Sequence, residues 1–309
     1  MKIYTDLNKL PVFKNAVLTI GSFDGVHIGH QQIIKKINKH AAQIGGCSVL
    51  ITFHPHPRLI VSKDSHNLRL INTLEEKAAL LEQYAVDALV VVPFSKAFAS
   101  QSPEAYILDF LVAHFQPAVI TIGYDHKFGK NRKGDISYLR KFEEEGGFKV
   151  IEISKQEVAD IAVSSTKVRR ALSSGAVSKA AQLLGHFYSL QGLVVKGQQI
   201  GTKIGFPTAN VSVQDTHKLI PPEGIYAVEV CIDTQKYGGM LYIGNRPTIN
   251  KNLKQSIEVN IFDFDQDIYG KIIKLDFVKY LRGDQKFEQL SGLQDQLKKD
   301  KIAALKALQ

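Results

Sequence analysis

The chain has 309 residues, 44% hydrophobic and 22% charged, which is enough to build roughly two globular domains and too apolar for disorder, collagen or a coiled-coil array. Lys and Arg number 39 against 30 Asp and Glu, a formal charge of +9 that favours anionic partners such as nucleotides, nucleic acid or an acidic membrane surface. Cys47 and Cys231 stand far apart, with neither a Cys-x-x-Cys nor a companion histidine spacing. A disulfide framework and a zinc ribbon are thereby unsupported, and a reducing cytoplasm is expected. Residues 1–10 lack the apolar core of a signal peptide, and the longest apolar run, Ala88 to Phe94, is too short to span a bilayer, so a soluble protein is expected.

From Ala16 onward, short apolar runs at 16–23, 47–53, 87–94, 118–124 and 148–154 have the pattern of buried strands. Amphipathic segments separate them. Ile33, Ile34, Ile37, Ala41 and Ile44 fall at helical spacing, Thr73-Leu-Glu-Glu76 has the form of a capping box, and Ser102-Pro103 pairs a cap residue with a first-turn proline. Strands alternating with helices predict a parallel sheet covered on both faces, with ligands at the carboxyl ends of its strands. A helical stretch runs from Ser164 to Leu184. Beyond it, runs at 188–195, 224–233, 238–244, 257–264 and 272–281 are joined by turns, which predicts an antiparallel Greek-key barrel followed by a polar C-terminal helix. The expected domains are 1–185 and 186–309. The first carries 23 basic and 17 acidic residues and the second 16 and 13, so each is suited to anions.

Five motifs follow strands. Gly21-Ser-Phe23-Asp24-Gly-Val-His27-Ile-Gly29-His30 opens the first helix; its histidines lie near one helical turn apart, Gly29 leaves room for a phosphate, and the free helix N–H groups add positive potential. Such a site suits transfer at phosphorus, in which the protein positions reactants and neutralises charge. Pro55 and Pro57 stiffen the loop after the second run. The 123–134 loop gathers Lys127, Lys130, Arg132 and Lys133 beside Asp125 and Phe128, fitting either a triphosphate or a solvated turn. Ser164, Ser165, Thr166 and Arg169 open a helix, where hydroxyls and a guanidinium suit phosphate oxygens or ordinary capping. Gly197, Gly201 and Gly205 form a glycine cradle ahead of Thr208 and Asn210, two hard oxygen donors suited to magnesium on one side of an extended chain. Glu258, on a strand with alternating apolar neighbours, is a candidate base for an attacking alcohol. Asp263, Asp265 and Asp267 lack the glycine and terminal glutamate of a calcium loop and are expected in a solvated turn.

GSFDGVHIGH, TFHPHP, the G-x-D-x-x-F-G-x-x-R-x-G loop and SSTKVR together resemble the adenylyltransferase half of the bacterial bifunctional riboflavin kinase/FAD synthetases. GFPTAN, PPEGIYAV, IGNRPT, IEVNIFDF-x-x-x-IYG and YLR-x-x-x-KF resemble the riboflavin kinase half. The resemblance covers nearly the whole chain. It implies a Rossmann-like nucleotidyltransferase domain and a small Greek-key barrel, acting in two magnesium-dependent steps. Riboflavin and ATP give FMN; FMN and ATP then give FAD and pyrophosphate. By position, His27 and His30 would stabilise adenylyl transfer. Gly21, Phe23, Asp24, Gly29, Ser164, Ser165, Thr166 and Arg169 would meet ATP, as would Gly197, Gly201 and Gly205 in the second half. Pro55, Pro57, Asp125, Phe128, Arg132 and Arg282 would meet flavin, Thr208 and Asn210 the magnesium, and Glu258 the proton of the ribityl 5′-hydroxyl. The chain departs from the family pattern at His126, Thr202 and Asn260, none of which is assigned a chemical step. The expected partners are the small-molecule substrates ATP, riboflavin and FMN, with room for flavin-accepting apoproteins and with no nucleic acid and no membrane. The rival readings are an adenylyltransferase whose barrel only binds flavin, and a basic nucleic-acid binder. The latter is disfavoured because Trp is absent and the basic residues cluster at phosphate-type loops.

Overall fold

A computed structural model describes residues 1–62, 67–153, 163–197, 201, 204–246 and 254–309, without the side chains of 245, 246 and 254. The chain divides into two compact units, Met1–Leu68 with Thr73–Ser164, and Arg69–Asn72 with Ser165–Gln309. The first holds a six-stranded sheet of β1 (Lys2–Tyr4), β2 (Ala16–Ile20), β3 (Ser48–His54), β4 (Ala88–Pro93), β5 (Pro117–Gly123) and β6 (Lys149–Ile153). The strand order is β1-β4-β3-β2-β5-β6 and every pairing is parallel. The five apolar runs predicted β2 to β6. Three-residue β1, with two of its residues exposed, carries no run long enough to predict.

Alternate residues of β3 enter different cores. Val49 and Ile51 pack with Tyr106, Phe110 and Phe115, whereas Leu50 packs with Ile34 and Leu81, so both faces of the sheet are covered. The first helix, α1 (Ile28–Gln43), buries Ile34, Ile37 and Ala41 as the spacing predicts, while Ile44 is its C-cap and lies exposed. A short helix, α2 (Pro57–Val61), begins at Pro57. The next, α3 (Leu74–Gln83), starts in a complete capping box: the Glu76 amide donates to Thr73 Oγ1 at 3.2 Å and the Thr73 amide to Glu76 Oε2 at 2.9 Å. Ser102 caps the following helix, with Pro103 in its first turn. From β2 the chain runs to β3 and β4 on one side and to β5 and β6 on the other, so the topological switch point lies between β2 and β5.

In the second unit β7 (Tyr188–Val195), β8 (Ala209–Ser212), β9 (Gly224–Ile232), β10 (Gln235–Arg246), β11 (Lys254–Ile261) and β12 (Ile272–Arg282) close an antiparallel barrel in the ring order β7-β8-β11-β10-β9-β12. The Leu290–Leu308 helix packs on β9, β10 and β12. Helices Ser165–Ser173 and Val177–Leu184, read from sequence as part of the first half, cluster with the barrel; the second of them packs on β7 and β12. Arg69–Asn72 joins this unit through Leu70, which forms an isolated bridge to Lys218, and through Lys218 Nζ, which donates to the carbonyls of Ile71 and Ser189 at 2.7 Å each.

Candidate active sites

In the first unit the loop after β2 and the loop after β5 flank the switch point. His27 is the N-cap of α1, and its Nδ1 accepts the His30 amide at 3.3 Å. Nδ1 is therefore unprotonated in the neutral ring, and the proton sits on Nε2. The two imidazoles stack, with centroids 3.6 Å apart and 14° between planes, and Phe23 lies 4.9 Å from His30. Burial, with the charges of His27 and Lys77, holds the His30 pKa well below the usual histidine range, and its Nδ1 is buried without a hydrogen-bond partner among the described residues. Gly29 also makes room within the chain itself. A Cβ there would lie 3.2 Å from two atoms of the His27 ring, so the missing side chain admits the imidazole against the first turn. Gly21 likewise faces the Phe23 ring, and Asp24 is almost fully buried.

Sequence reasoning overlooked Lys77. It lies on α3 with 6% exposure, its Nζ donates to Thr52 Oγ1 at 3.3 Å, and Thr52 Oγ1 donates to the Ser22 carbonyl at 3.2 Å. Burial pushes the ammonium down to about 8, against the opposing pull of the Asp24 carboxylate. Its position one residue past the capping box was the available signal, since Glu76, Lys77 and Leu81 form the buried side of that helix.

The other expected residues divide between exposed and inward positions. Pro55 is exposed and Pro57 half-buried at the start of α2. In the 123–134 loop Asp125 and Arg132 are exposed. Phe128 is a core residue: its ring stacks on Tyr106 at 4.9 Å, and its backbone exchanges two 3.0 Å hydrogen bonds with Gly134. It anchors the loop because an aromatic ring gains more by burial than by exposure. Burial and the Arg132 charge push His126 down to about 4 against the pull of Asp125, and its Nε2 is buried without a partner among the described residues. Ser164 and Thr166 are exposed and Ser165 half-buried. Arg169 Nε donates to the Arg69 carbonyl at 2.8 Å, which ties that helix to the barrel unit's own segment.

A half-open cavity of about 410 Å³ lies between the barrel and the Leu290–Leu308 helix; its wall includes Gly201, Thr208, Tyr242, Glu258, Asn260 and Arg282, with Phe206, Phe287, Leu293 and Leu297 as apolar surface. Glu258 on β11 pairs with Asn210 on β8 and Tyr242 on β10, so the register itself gathers carboxylate, amide and phenol. Both carboxylate oxygens accept hydroxyls, Oε1 from Ser256 at 2.8 Å and Oε2 from Thr208 at 3.3 Å. Gly197 is required by close approach, because a Cβ there would fall 2.0 Å from Asn210 Nδ2. Gly201 accepts the Ile204 and Phe206 amides on its carbonyl, and Gly205 has φ +81°. Asn260 Nδ2 donates to the Pro207 carbonyl at 2.7 Å and so braces this loop; Thr202 lies outside the described residues, as do Pro247 and Thr248 of the IGNRPT motif. Arg282 lines the cavity, but its guanidinium is occupied by Asp300 of the C-terminal helix, Nε to Oδ1 at 2.9 Å and Nη2 to Oδ2 at 2.7 Å. It fastens the helix whose Leu293 and Leu297 form the apolar wall. The aspartates at 263, 265 and 267 are exposed, as expected of a solvated turn.

A doubly wound α/β domain with paired histidines at its switch point, joined to a closed barrel with a carboxylate in its cavity, defines a two-domain nucleotide-dependent transferase. Residues 10–167 match the FAD synthetase family and residues 184–308 the riboflavin kinase family. The chain belongs to the family of bifunctional riboflavin kinase/FMN adenylyltransferases, with the synthetase domain first and the kinase domain second. It is 37% identical over 297 residues to the enzyme of that description from Listeria monocytogenes, covering 96% of this chain and 91% of the relative. The Bacillus subtilis relative is also 37% identical, with 94% and 92% covered. A crystal structure described as a macrolide-efflux protein from Streptococcus pneumoniae shares 30% identity at a TM-score of 0.86, covering 98% of this chain and 97% of that one. Among the described residues no helix is long and apolar enough to cross a membrane.

Proposed function

We propose that the two steps are carried by the two described centres: adenylyl transfer from ATP to FMN at His27 and His30, and phosphorylation of riboflavin in the barrel cavity around Glu258. In the first step a phosphate oxygen of FMN attacks the α-phosphorus of ATP and pyrophosphate leaves. The imidazoles meet the charge that develops there, with the Nε2–H of His27 as a donor, and no covalent intermediate is needed. Asp125, Arg132, Pro55 and Pro57 border the FMN, and Ser164, Ser165, Thr166 and Arg169 serve ATP. In the second step Glu258 takes the proton of the ribityl 5′-hydroxyl as that oxygen attacks the γ-phosphorus and ADP leaves. The hydroxyl and amide oxygens of Thr208 and Asn210, beside a carboxylate, form the hard donor set that magnesium takes. Bound there, the ion would neutralise charge on the ATP phosphates. The functional division falls at 185/186, and the site of action is the cytoplasm, where Cys47 and Cys231 remain free thiols.

The observation that carries the kinase reading is Glu258, held at both oxygens on the cavity wall beside two hard donors. Chromatography of products from riboflavin, ATP and magnesium tests both assignments. The parent chain should make FMN and then FAD. Glu258→Gln should make FMN from riboflavin far more slowly than the parent yet convert supplied FMN, and His27→Ala with His30→Ala should accumulate FMN. Parental FAD formation by that double variant would remove the histidines from the mechanism.

A further inference from the structure

We propose that Lys77 is a positioning residue for adenylyl transfer: through Thr52 it grips the loop between β2 and α1 and so fixes where His27 and His30 stand. The inference rests on the reading that those histidines serve that step. The loop has little regular structure of its own to hold it. Phe23 and Val26 both lie at positive φ, +46° and +39°, where non-glycine residues stay only if their surroundings compel them. Two things compel them. Phe23 and Val26 share one apolar cluster with Ile34 of α1, Leu50 of β3 and Leu81 of α3, which sets the loop's depth. The chain Lys77 Nζ to Thr52 Oγ1 to Ser22 O then fixes its polar side by two successive hydrogen bonds.

An apolar side chain would fill this place on α3 without the cost of burying an ammonium, and a buried cation persists only where partners hold it. Asp24 in the same loop supplies the opposite charge, and the cation in turn bears on His30. The titratable groups facing Lys77 are therefore Asp24 from the loop and His30 from α1, with the Thr52 hydroxyl from β3. Glu76, its neighbour, is engaged by the Thr73 amide. The charged ammonium attracts Asp24, while burial first, and then the charges of His27 and Lys77, disfavour a proton on His30. Once it is deprotonated, Lys77 no longer attracts Asp24, and one of the ties between α3 and the loop is weakened.

The test compares parent, Lys77→Met and Lys77→Arg as full chains. FMN adenylylation is followed as kcat and KM across roughly pH 6 to 10, and riboflavin phosphorylation is measured on the same preparations as the control for folding. The parent should lose kcat/KM above about pH 8, following the Lys77 ammonium. Lys77→Met should fall about 10²-fold in kcat at neutral pH, the scale of a misplaced catalytic group, and show no limb near pH 8. Lys77→Arg, whose guanidinium stays charged over this range, should keep most of the rate and lose the limb. Riboflavin phosphorylation should be the same in all three. Parental kcat and a parental limb in Lys77→Met would overturn the proposal. Should Lys77→Met not fold, Thr52→Val decides: about tenfold lower kcat for adenylylation supports the proposal and an unchanged kcat overturns it. His30→Ala, run alongside, separates the two failures. Parental FAD formation there strikes the role of the histidines, whereas an inactive His30→Ala with an unaffected Lys77→Met strikes the role of Lys77 alone.

Discussion

Glu258 has a carboxylate already held at both oxygens, so its orientation does not depend on a bound substrate. Glu258→Gln keeps the shape and removes the basicity, and riboflavin phosphorylation should drop roughly 10²–10⁴-fold with adenylylation of supplied FMN intact, read by separate product assays. His126 gives a pH prediction. Its folded pKa, near 4, lies below that of an unfolded histidine, so the unfolded chain binds more protons, and stability is full above about pH 6.5 and falls as pH drops toward 4. His126→Phe removes both the titration and a buried unpartnered nitrogen; its melting temperature should exceed the parent's by a wider margin at pH 5 than at pH 7.5. His27 and His30 were legible because a strand, glycines and a helix start surround them in sequence. Lys77 was not, because its partners Thr52 and Asp24 are distant in sequence, and a lysine on a helix ordinarily lies in water. The burial of Phe128 was not legible for a related reason: the sequence puts it in a glycine-rich loop, and only the fold shows Tyr106 beneath it.

Long apolar runs announced β2 to β6 and five of the six barrel strands, and cap residues announced α3 and the helix beginning at Pro103. Four-residue β8 had no such run. It is defined by its partners, Glu258 and Val259 on one side and Leu193 to Val195 on the other. The C-terminal helix looked polar, yet one of its polar residues is its anchor, because Asp300 is buried and binds Arg282 at two points while Gln296 donates to it at 2.9 Å. Removing one member of a buried pair strands the other, so Asp300→Asn should cost about 3 kcal/mol in denaturant unfolding. The same change should raise the KM for riboflavin, since Leu293 and Leu297 on this helix form part of the cavity wall. An unchanged KM together with the lost stability would detach the helix from substrate binding.

At the scale of the whole chain, the two compact units are not two uninterrupted stretches, because Arg69–Asn72 clusters with Ser165–Gln309. A fragment of 165–309 should phosphorylate riboflavin and make no FAD, since Glu258, Thr208 and Asn210 all lie within it. A fragment of 186–309 should unfold at lower temperature, lacking the buried faces of Val168, Leu172, Val177 and Leu184. Both fragments leave Lys218 without the Ile71 carbonyl, a loss of about 1–3 kcal/mol for a buried donor. Lys218→Met should therefore destabilise the full chain more than it destabilises the 165–309 fragment, as measured by thermal unfolding. None of this was legible in the sequence, where 69–72 is an ordinary stretch between two helices and Lys218 one cation among many. The arrangement also orders events in time. Ile71 leaves the ribosome 147 residues ahead of the lysine that receives it, so a nascent chain must carry an unpaired segment through the synthesis of most of the first unit and part of the barrel. The enzyme's two units can start folding in turn, but the second is completed only by a piece of chain made long before it.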